Sequence, residues 1–261
     1  MSAAPLLVTR GLSKRFGGLL AVSELDLEVH AGEILGVIGP NGAGKSTTFN
    51  MIAGALAPTA GSIEFAGEAL VGLPTHAMAG RGILRTFQHN KPFGSMTVRE
   101  NIMLGMHTRL HVPLWQVLAR TAASQRAERD ALRMANELVA FVGLDEACEA
   151  DVGNLSFGQG RLLEIARSLA AQPRLMLFDE PAAGLTAAEC DRVAQIIRGI
   201  SARGIAVLLI EHDMRFLMAL AHRVVVLNFG RAIAQGTPQQ VQADAQVVAA
   251  YLGRVAGAAD A

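Results

Sequence analysis

Hydrophobic and polar positions change their spacing along this chain, and the change divides it into parts. Over residues 5–30, Val22, Leu25, Leu27 and Val29 stand among polar neighbours in the alternation of a half-buried strand. Ser62-Ile63-Glu64-Phe65 alternates again. Ile34-Leu35-Gly36-Val37-Ile38 is apolar on both faces, which predicts a central strand of a parallel sheet. Similar runs return at Leu175 to Phe178, Ile205 to Ile210 and Val224 to Leu227, each separated from the one before by enough chain for a helix. That rhythm predicts βαβ crossovers around a parallel sheet, preceded by an antiparallel β region.

Between Phe93 and Ala166 the period becomes helical. From Ser124 to Val142, Ala127, Ala131, Met134, Leu138 and Phe141 recur every three or four residues, with Arg126, Glu128, Arg129, Asp130 and Arg133 between them. We expect an inserted helical subdomain at about 93–166, with Trp115 packed inside it. Thr237-Pro238-Gln239-Gln240 carries a helix start: a capping Thr, Pro in the first turn and Gln three after the cap. The Ala/Gly-rich end after Gly253 is expected to fray.

Composition narrows the class. The 261 residues suit one large domain, and 51% hydrophobic with 18% charged residues is a globular balance. Basic and acidic residues number 23 each, so nothing favours a nucleic-acid backbone as partner. No apolar run reaches the ~18–20 residues needed to span a bilayer. Met1 to Arg10 lacks the pattern of a secretory signal, and Cys148 and Cys190 have no metal-ligand spacing and are expected as reduced thiols. Lys14, Lys45 and Lys91 are the only lysines among those 23 basic residues, so each invites a reason.

Gly39-Pro40-Asn41-Gly42-Ala43-Gly44-Lys45-Ser46 fits the pattern G-x-x-x-x-G-K-[ST] without a gap. Glycines there let backbone N–H groups turn inward around phosphate oxygens. The helix expected to start near Lys45, running on through Thr47, adds its positive dipole end. In this motif the Lys45 ammonium reaches the β and γ phosphates and the Ser46 hydroxyl can ligate Mg²⁺. An apolar strand precedes the motif, which is the context it needs. Leu175-Met176-Leu177-Phe178-Asp179-Glu180 is an apolar strand that ends in two carboxylates. With a phosphate loop upstream, Asp179 suits a metal and Glu180 suits polarising a water.

Taken together, these residues make the chain resemble the nucleotide-binding subunits of ABC transporters over nearly its whole length. Leu155-Ser156-Phe157-Gly158-Gln159 looks like that family's signature, and Glu164-Ile165-Ala166-Arg167 follows it. Gln88, in Arg85-Thr86-Phe87-Gln88, matches the glutamine loop, His212 matches the switch histidine, and Phe16 stands where the family stacks an aromatic ring on adenine. Phe16 as an ordinary core or turn aromatic stays open. The resemblance implies an α/β P-loop NTPase (RecA-like) core with an antiparallel β subdomain and an inserted helical subdomain. The implied domain spans 1–253, with the core at about 1–92 and 167–253.

It further implies an ATPase that uses Mg-ATP, with Gly39, Asn41, Gly42, Gly44, Lys45, Ser46 and Thr47 on the nucleotide. Ser46, Gln88 and Asp179 serve the metal, and Glu180, His212 and Gln88 serve the reaction. Ser156, Gly158 and Gln159 would complete the site of a second cassette, identical or related, in a head-to-tail dimer. Transmembrane permease subunits are the implied partners, touched first by Phe93 to Ile102, with a periplasmic binding protein acting indirectly. The implied location is peripheral, on the cytoplasmic face of the inner membrane. Arg85-Thr86-Phe87-Gln88, Val226-Leu227-Asn228-Phe229-Gly230 and Ala250-Tyr251-Leu252-Gly253 resemble the branch that imports branched-chain or other hydrophobic amino acids. Urea-import and lipopolysaccharide-export cassettes share every site residue and are the alternatives, ahead of a soluble cassette not coupled to transport. Two departures stand out. Phe157 replaces the usual second glycine and would be strained if the site needs positive φ. Thr186 stands where the wider family often has Asp.

Overall fold

The computed structural model describes residues 4–70, 72–86, 93–107 and 121–257, with side chains to residue 251. Gln88 and Trp115 lie outside the described residues. Two compact units divide the chain: residues 1–85, 174–183 and 197–261 form one, and 86–173 with 184–196 form the other.

The first unit opens with a hairpin, β1 (Leu7–Phe16) and β2 (Leu19–Val29), paired antiparallel. Val22 and Leu25 are both buried although they are three apart, which strict alternation forbids. A bulge resolves this. The pairing slips between Leu12 and Lys14, Glu24 takes a positive φ of 50°, and its N–H donates to Ser13 Oγ at 2.9 Å. After β3 (Ile34–Ile38) and α1 (Lys45–Ile52), strands β4 (Ala60–Phe65) and β5 (Glu68–Ala69) complete a sheet in the order β2-β1-β4-β5.

A short helix, α2 (Thr75–Gly80), leads to β6 (Ile83–Arg85). The later strands are β7 (Leu175–Asp179), β8 (Ala206–Ile210), β9 (Arg223–Asn228) and β10 (Arg231–Gly236). They form a six-stranded sheet in the order β10-β9-β3-β8-β7-β6, parallel except for the β9–β10 hairpin at one edge. Every residue of β3 and β8 is buried, as expected of strands covered on both faces. The main core joins β1 and β2 to this sheet through Leu12, Val22, Leu35, Phe49, Leu177 and Leu208.

In the second unit α3 (Val98–Leu104), α4 (Ala122–Val142) and α5 (Phe157–Ala170) pack together. The start of α6 (Ala187–Ala202) clusters with them. Asn101, fully buried on α3, donates through Nδ2 to the Phe93, Met96 and Thr97 carbonyls and accepts from Phe93 N–H, fixing the loop that leads into the helix. The α4 stripe lies round from the expected one: Ala131, Ala135, Leu138, Val139 and Val142 are buried, while Met134 and Phe141 are only half-buried. The helical unit also reaches past the expected 93–166. α5 runs unbroken to Ala170, so no boundary falls at 166.

Back in the first unit lie α7 (Met214–Leu220), α8 (Pro238–Ala243) and α9 (Ala245–Gly257). Thr237 and Gln240 exchange both bonds of the expected capping box. α9 continues to Gly257, past Gly253 where the composition suggested fraying.

Candidate functional site

The phosphate loop is the turn between a buried strand and a helix. β3 delivers Gly39, and α1 starts at Lys45 and is anchored by buried Thr48, Phe49, Met51 and Ile52. Three of its glycines have positive φ, for different reasons. A Cβ on Gly44 would stand 2.6 Å from the Ala21 carbonyl oxygen, so this glycine lets β2 approach the loop. A Cβ on Gly42 would meet nothing within 4 Å; this glycine faces the open mouth of the loop.

No side chain caps α1 and no acid lies in its first turn, so its positive end is not offset by the protein. Lys45 Nζ donates to the carbonyls of Gly39 at 2.6 Å and Pro40 at 3.0 Å, which keeps the ammonium over the loop. Asn41 and Ser46 are exposed beside it, and Thr47 is half-buried. Gly39 also donates its N–H to the hydroxyl of half-buried Tyr251 on α9. Burial raises that phenol's pKa, and the bond opposes the rise.

β7 ends at Asp179, and Glu180 follows in a left-handed conformation, φ 50°. Holding a non-glycine residue there costs about 1–3 kcal/mol. The conformation is fixed because Glu180 N–H still pairs with Ile210 O at 2.9 Å. His212 follows β8, with Nδ1 3.7 Å from Glu180 Oε1 and equally far from Glu211 Oε2. The phosphate loop, the Asp179–Glu180 pair and His212 thus follow the C-terminal ends of β3, β7 and β8, adjacent strands of the parallel sheet. Phe16 ends β1 and is 47% exposed, so it is no core aromatic. Lys14 Nζ lies 5.3 Å from its ring centre and donates to Ala57 O at 2.6 Å.

A strongly charged, oxygen-rich ligand fits this set. The open glycine cradle, the uncapped helix start and the Lys45 ammonium suit a triphosphate. The Ser46 hydroxyl and the Asp179 carboxylate are the hard oxygen donors that Mg²⁺ takes alongside phosphate and water. Among the described residues no cluster of three or more His, Cys, Asp and Glu builds a separate metal site.

Within the helical unit, the signature residues have local work. Ser156 caps α5: its Oγ accepts from Gln159 N–H at 3.2 Å, and Gln159 Oε1 accepts from Ser156 N–H at 2.9 Å. Phe157 is the first residue of α5 and is absent from the positive-φ residues, so the expected strain does not arise. Its exposed ring lies 5.8 Å from the Arg161 guanidinium and packs against Gly184. Gly158 is buried where a Cβ would overlap the Glu189 carboxylate. Thr186 starts α6, donating its N–H and hydroxyl to Glu189 Oε2, each at 2.8 Å. The backbone bond, then the hydroxyl bond, hold the Glu189 carboxyl below its usual pKa.

Two residues of the first unit escaped the sequence reading. Glu211 is buried and gathers backbone N–H groups from Ala182 at 2.9 Å, His212 at 3.1 Å and Asp213 at 3.5 Å, joining the segment after Glu180 to the one that carries His212. Burial raises its pKa, against the pull of these bonds and of His212. An acid directly after an apolar strand was the available signal, the same one that marked Asp179. Arg85 stands in the sequence only as part of a motif; it pairs with Asp179 at 2.7 Å, and no local pattern announces that contact.

Comparison with known proteins agrees with this geometry. Residues 22–183 match the ABC transporter family, and residues 233–257 match the branched-chain amino acid ATP-binding cassette transporter family. The chain is 42% identical over 250 residues to the high-affinity branched-chain amino acid transport ATP-binding protein BraF of Pseudomonas aeruginosa, covering 95% of this chain and 98% of that one. The corresponding protein LivG of Escherichia coli matches equally well. The lipopolysaccharide export system ATP-binding protein LptB of Escherichia coli is 35% identical, covering 95% of this chain and 97% of its own. A nucleotide-free ATP-binding cassette from an ABC transporter superposes with a TM-score of 0.81 at 29% identity, over 95% of this chain and 99% of that one. The ADP conformation of the cassette MJ1267 gives 0.80 at 29%, over 96% and 100%. Among the described residues no helix is long and apolar enough to cross a membrane. With the phosphate loop, the paired carboxylates and these matches in register, the chain belongs to the ABC transporter family, as an ATP-binding cassette.

Proposed function

We propose that this cassette hydrolyses Mg-ATP to drive import of branched-chain or other hydrophobic amino acids through a transmembrane permease. The observation that carries the cargo is the match of residues 233–257 to the branched-chain family, because the phosphate loop and carboxylates are common to every cassette. Identity of 42% to BraF and LivG, against 35% to LptB, points the same way.

In this reading Gly39, Asn41, Gly42, Gly44, Lys45, Ser46 and Thr47 hold the phosphates, and Phe16 stacks on the base. Ser46, Asp179 and Gln88 hold Mg²⁺, which when bound neutralises charge on the phosphate oxygens. Glu180 orients the attacking water from its place just past the end of β7. His212 stabilises the charge gathering on the γ-phosphate. Glu211 holds His212 and the segment after Glu180 in one arrangement. Ser156, Gly158 and Gln159 complete the site of a second cassette, with the capped start of α5 presented to its γ-phosphate. The permease engages the surface around Phe93 to Ile102 on the cytoplasmic face of the inner membrane, and a periplasmic binding protein delivers cargo to it.

Co-purification of transmembrane partners from native membranes, followed by uptake of labelled leucine, isoleucine and valine into proteoliposomes, tests the proposal. ATP-dependent uptake that Glu180→Gln abolishes is expected. A complex that moves urea, or that extracts lipopolysaccharide instead, would replace the cargo and leave the ATPase reading intact.

A further inference from the structure

Arg85 stands at the end of β6 and reaches in two directions. Its Nη2 pairs with Asp179 Oδ2 at 2.7 Å, and its Nη1 donates to Asn50 Oδ1 at 2.6 Å. Both ends of the ion pair are largely withdrawn from solvent, with side chains 19% and 12% exposed. Asn50 lies on α1, the helix that begins with Lys45, so the guanidinium fork ties that helix to the end of β7. A single ammonium lacks the fixed fork needed to serve both partners. Among the described residues no other side chain pairs with the Asp179 carboxylate.

We infer that Arg85 is a resident counter-charge for Asp179, which lets the phosphate loop accept a nucleoside triphosphate before any divalent cation is in place. This rests on the proposed function, in which Asp179 serves the nucleotide's metal. The electrostatics follow from the pair's burial. An uncompensated carboxylate near the loop would repel the phosphates, and in a partly desolvated setting that repulsion is weakly screened. The same carboxylate, freed of its arginine, would attract a divalent cation more strongly. Arg85 therefore trades metal affinity for nucleotide affinity. It acts through Asp179, as a positioning residue. A purely structural residue, when lost, weakens both kinds of binding; a counter-charge, when lost, moves them in opposite directions.

The test titrates the full chain with a fluorescent, non-hydrolysable ATP analogue, once in EDTA and once at fixed analogue across a Mg²⁺ series, with circular dichroism to verify folding. For Arg85→Gln, the metal-free Kd should rise about tenfold and the half-saturating Mg²⁺ concentration should fall several-fold. Arg85→Lys keeps the charge and should stay within about threefold of wild type in the metal-free arm. Adding Asp179→Asn to Arg85→Gln should return metal-free affinity to about the wild-type value, because the repelling charge is gone. The inference is overturned if Arg85→Gln weakens both arms or changes neither, or if the double variant is no better than the single one. Should Arg85→Gln fail to fold, Asp179→Asn is compared with the double variant, which removes both charges of the pair: tighter metal-free binding in Asp179→Asn than in the double variant supports a counter-charge at position 85, and equal affinity overturns it. A wild-type chain that binds the analogue in neither arm refutes the nucleotide reading itself.

Discussion

Two glycines of the same loop should separate folding from binding. Gly42 and Gly44 both have positive φ, 80° and 101°, so alanine is strained at either position, by about 1–2 kcal/mol. Beyond that they differ. A Cβ at 44 meets the Ala21 carbonyl at 2.6 Å and Val22 Cγ2 at 3.2 Å, and a backbone carbonyl held in a hairpin cannot step aside. Overpacking of that kind adds about 1–3 kcal/mol, so Gly44→Ala should lower unfolding free energy by about 2–5 kcal/mol in total. At 42 the new methyl meets no protein atom within 4 Å, so Gly42→Ala should lose only the backbone strain. That methyl nevertheless stands in the mouth of the loop, where a phosphate oxygen has to approach the backbone. Urea denaturation without nucleotide measures the first effect, and calorimetric ATP titration measures the second. We expect Gly42→Ala to fold nearly as well as wild type and to bind ATP at least tenfold more weakly. Wild-type affinity in Gly42→Ala would mean that the phosphates do not enter over Gly42, and equal destabilisation by the two alanines would refute the packing assigned to Gly44.

Glu180→Gln should bind ATP as wild type does while turnover falls by about 10²–10⁴-fold, since the carboxylate acts on water; near-normal kcat in a steady-state ATPase assay would move that role to another residue. Phe16→Ala should weaken ATP and GTP by a similar factor, about 1–3 kcal/mol each, because stacking on an exposed ring discriminates little between bases, and a loss confined to one nucleotide would argue against it. Glu211 gives a pH dependence with a definite sign. Its folded pKa lies above the ordinary carboxylate value of about 4.5, so the folded state holds the extra proton between the two values, and stability falls as pH rises from there through the folded pKa. Glu211→Gln removes that titration, and its Tm should gain on wild type across the same rise; a constant offset would show that Glu211 does not titrate as its burial requires.

How far the sequence reaches can be traced through these same residues. The glycine-rich turn between β3 and α1, the strand that ends at Asp179, and the Thr237 cap were all legible because each is a local device. A helix start needs its cap within three residues, and a phosphate cradle needs its glycines within one turn. The central strands were legible for a related reason: burial on both faces writes an unbroken apolar run at β3, β7 and β8. The strands β6 and β10 left no such mark. They sit at the edges of their sheet, where pairing with one neighbour asks little of the side chains.

What the tertiary structure alone decided are relations between distant segments. The α4 stripe was displaced because helical periodicity fixes that one face is buried, while the neighbouring helices choose which. Phe157, a departure when read against a motif, became an ordinary first helical residue once its backbone was seen. Arg85 meets Asp179 across 94 residues, and Glu211 meets Ala182 across 29. A charge written in the sequence says only that a partner or water must satisfy it; the identity of that partner is set when β6 is laid beside β7, and β7 beside β8, by the packing of the whole sheet.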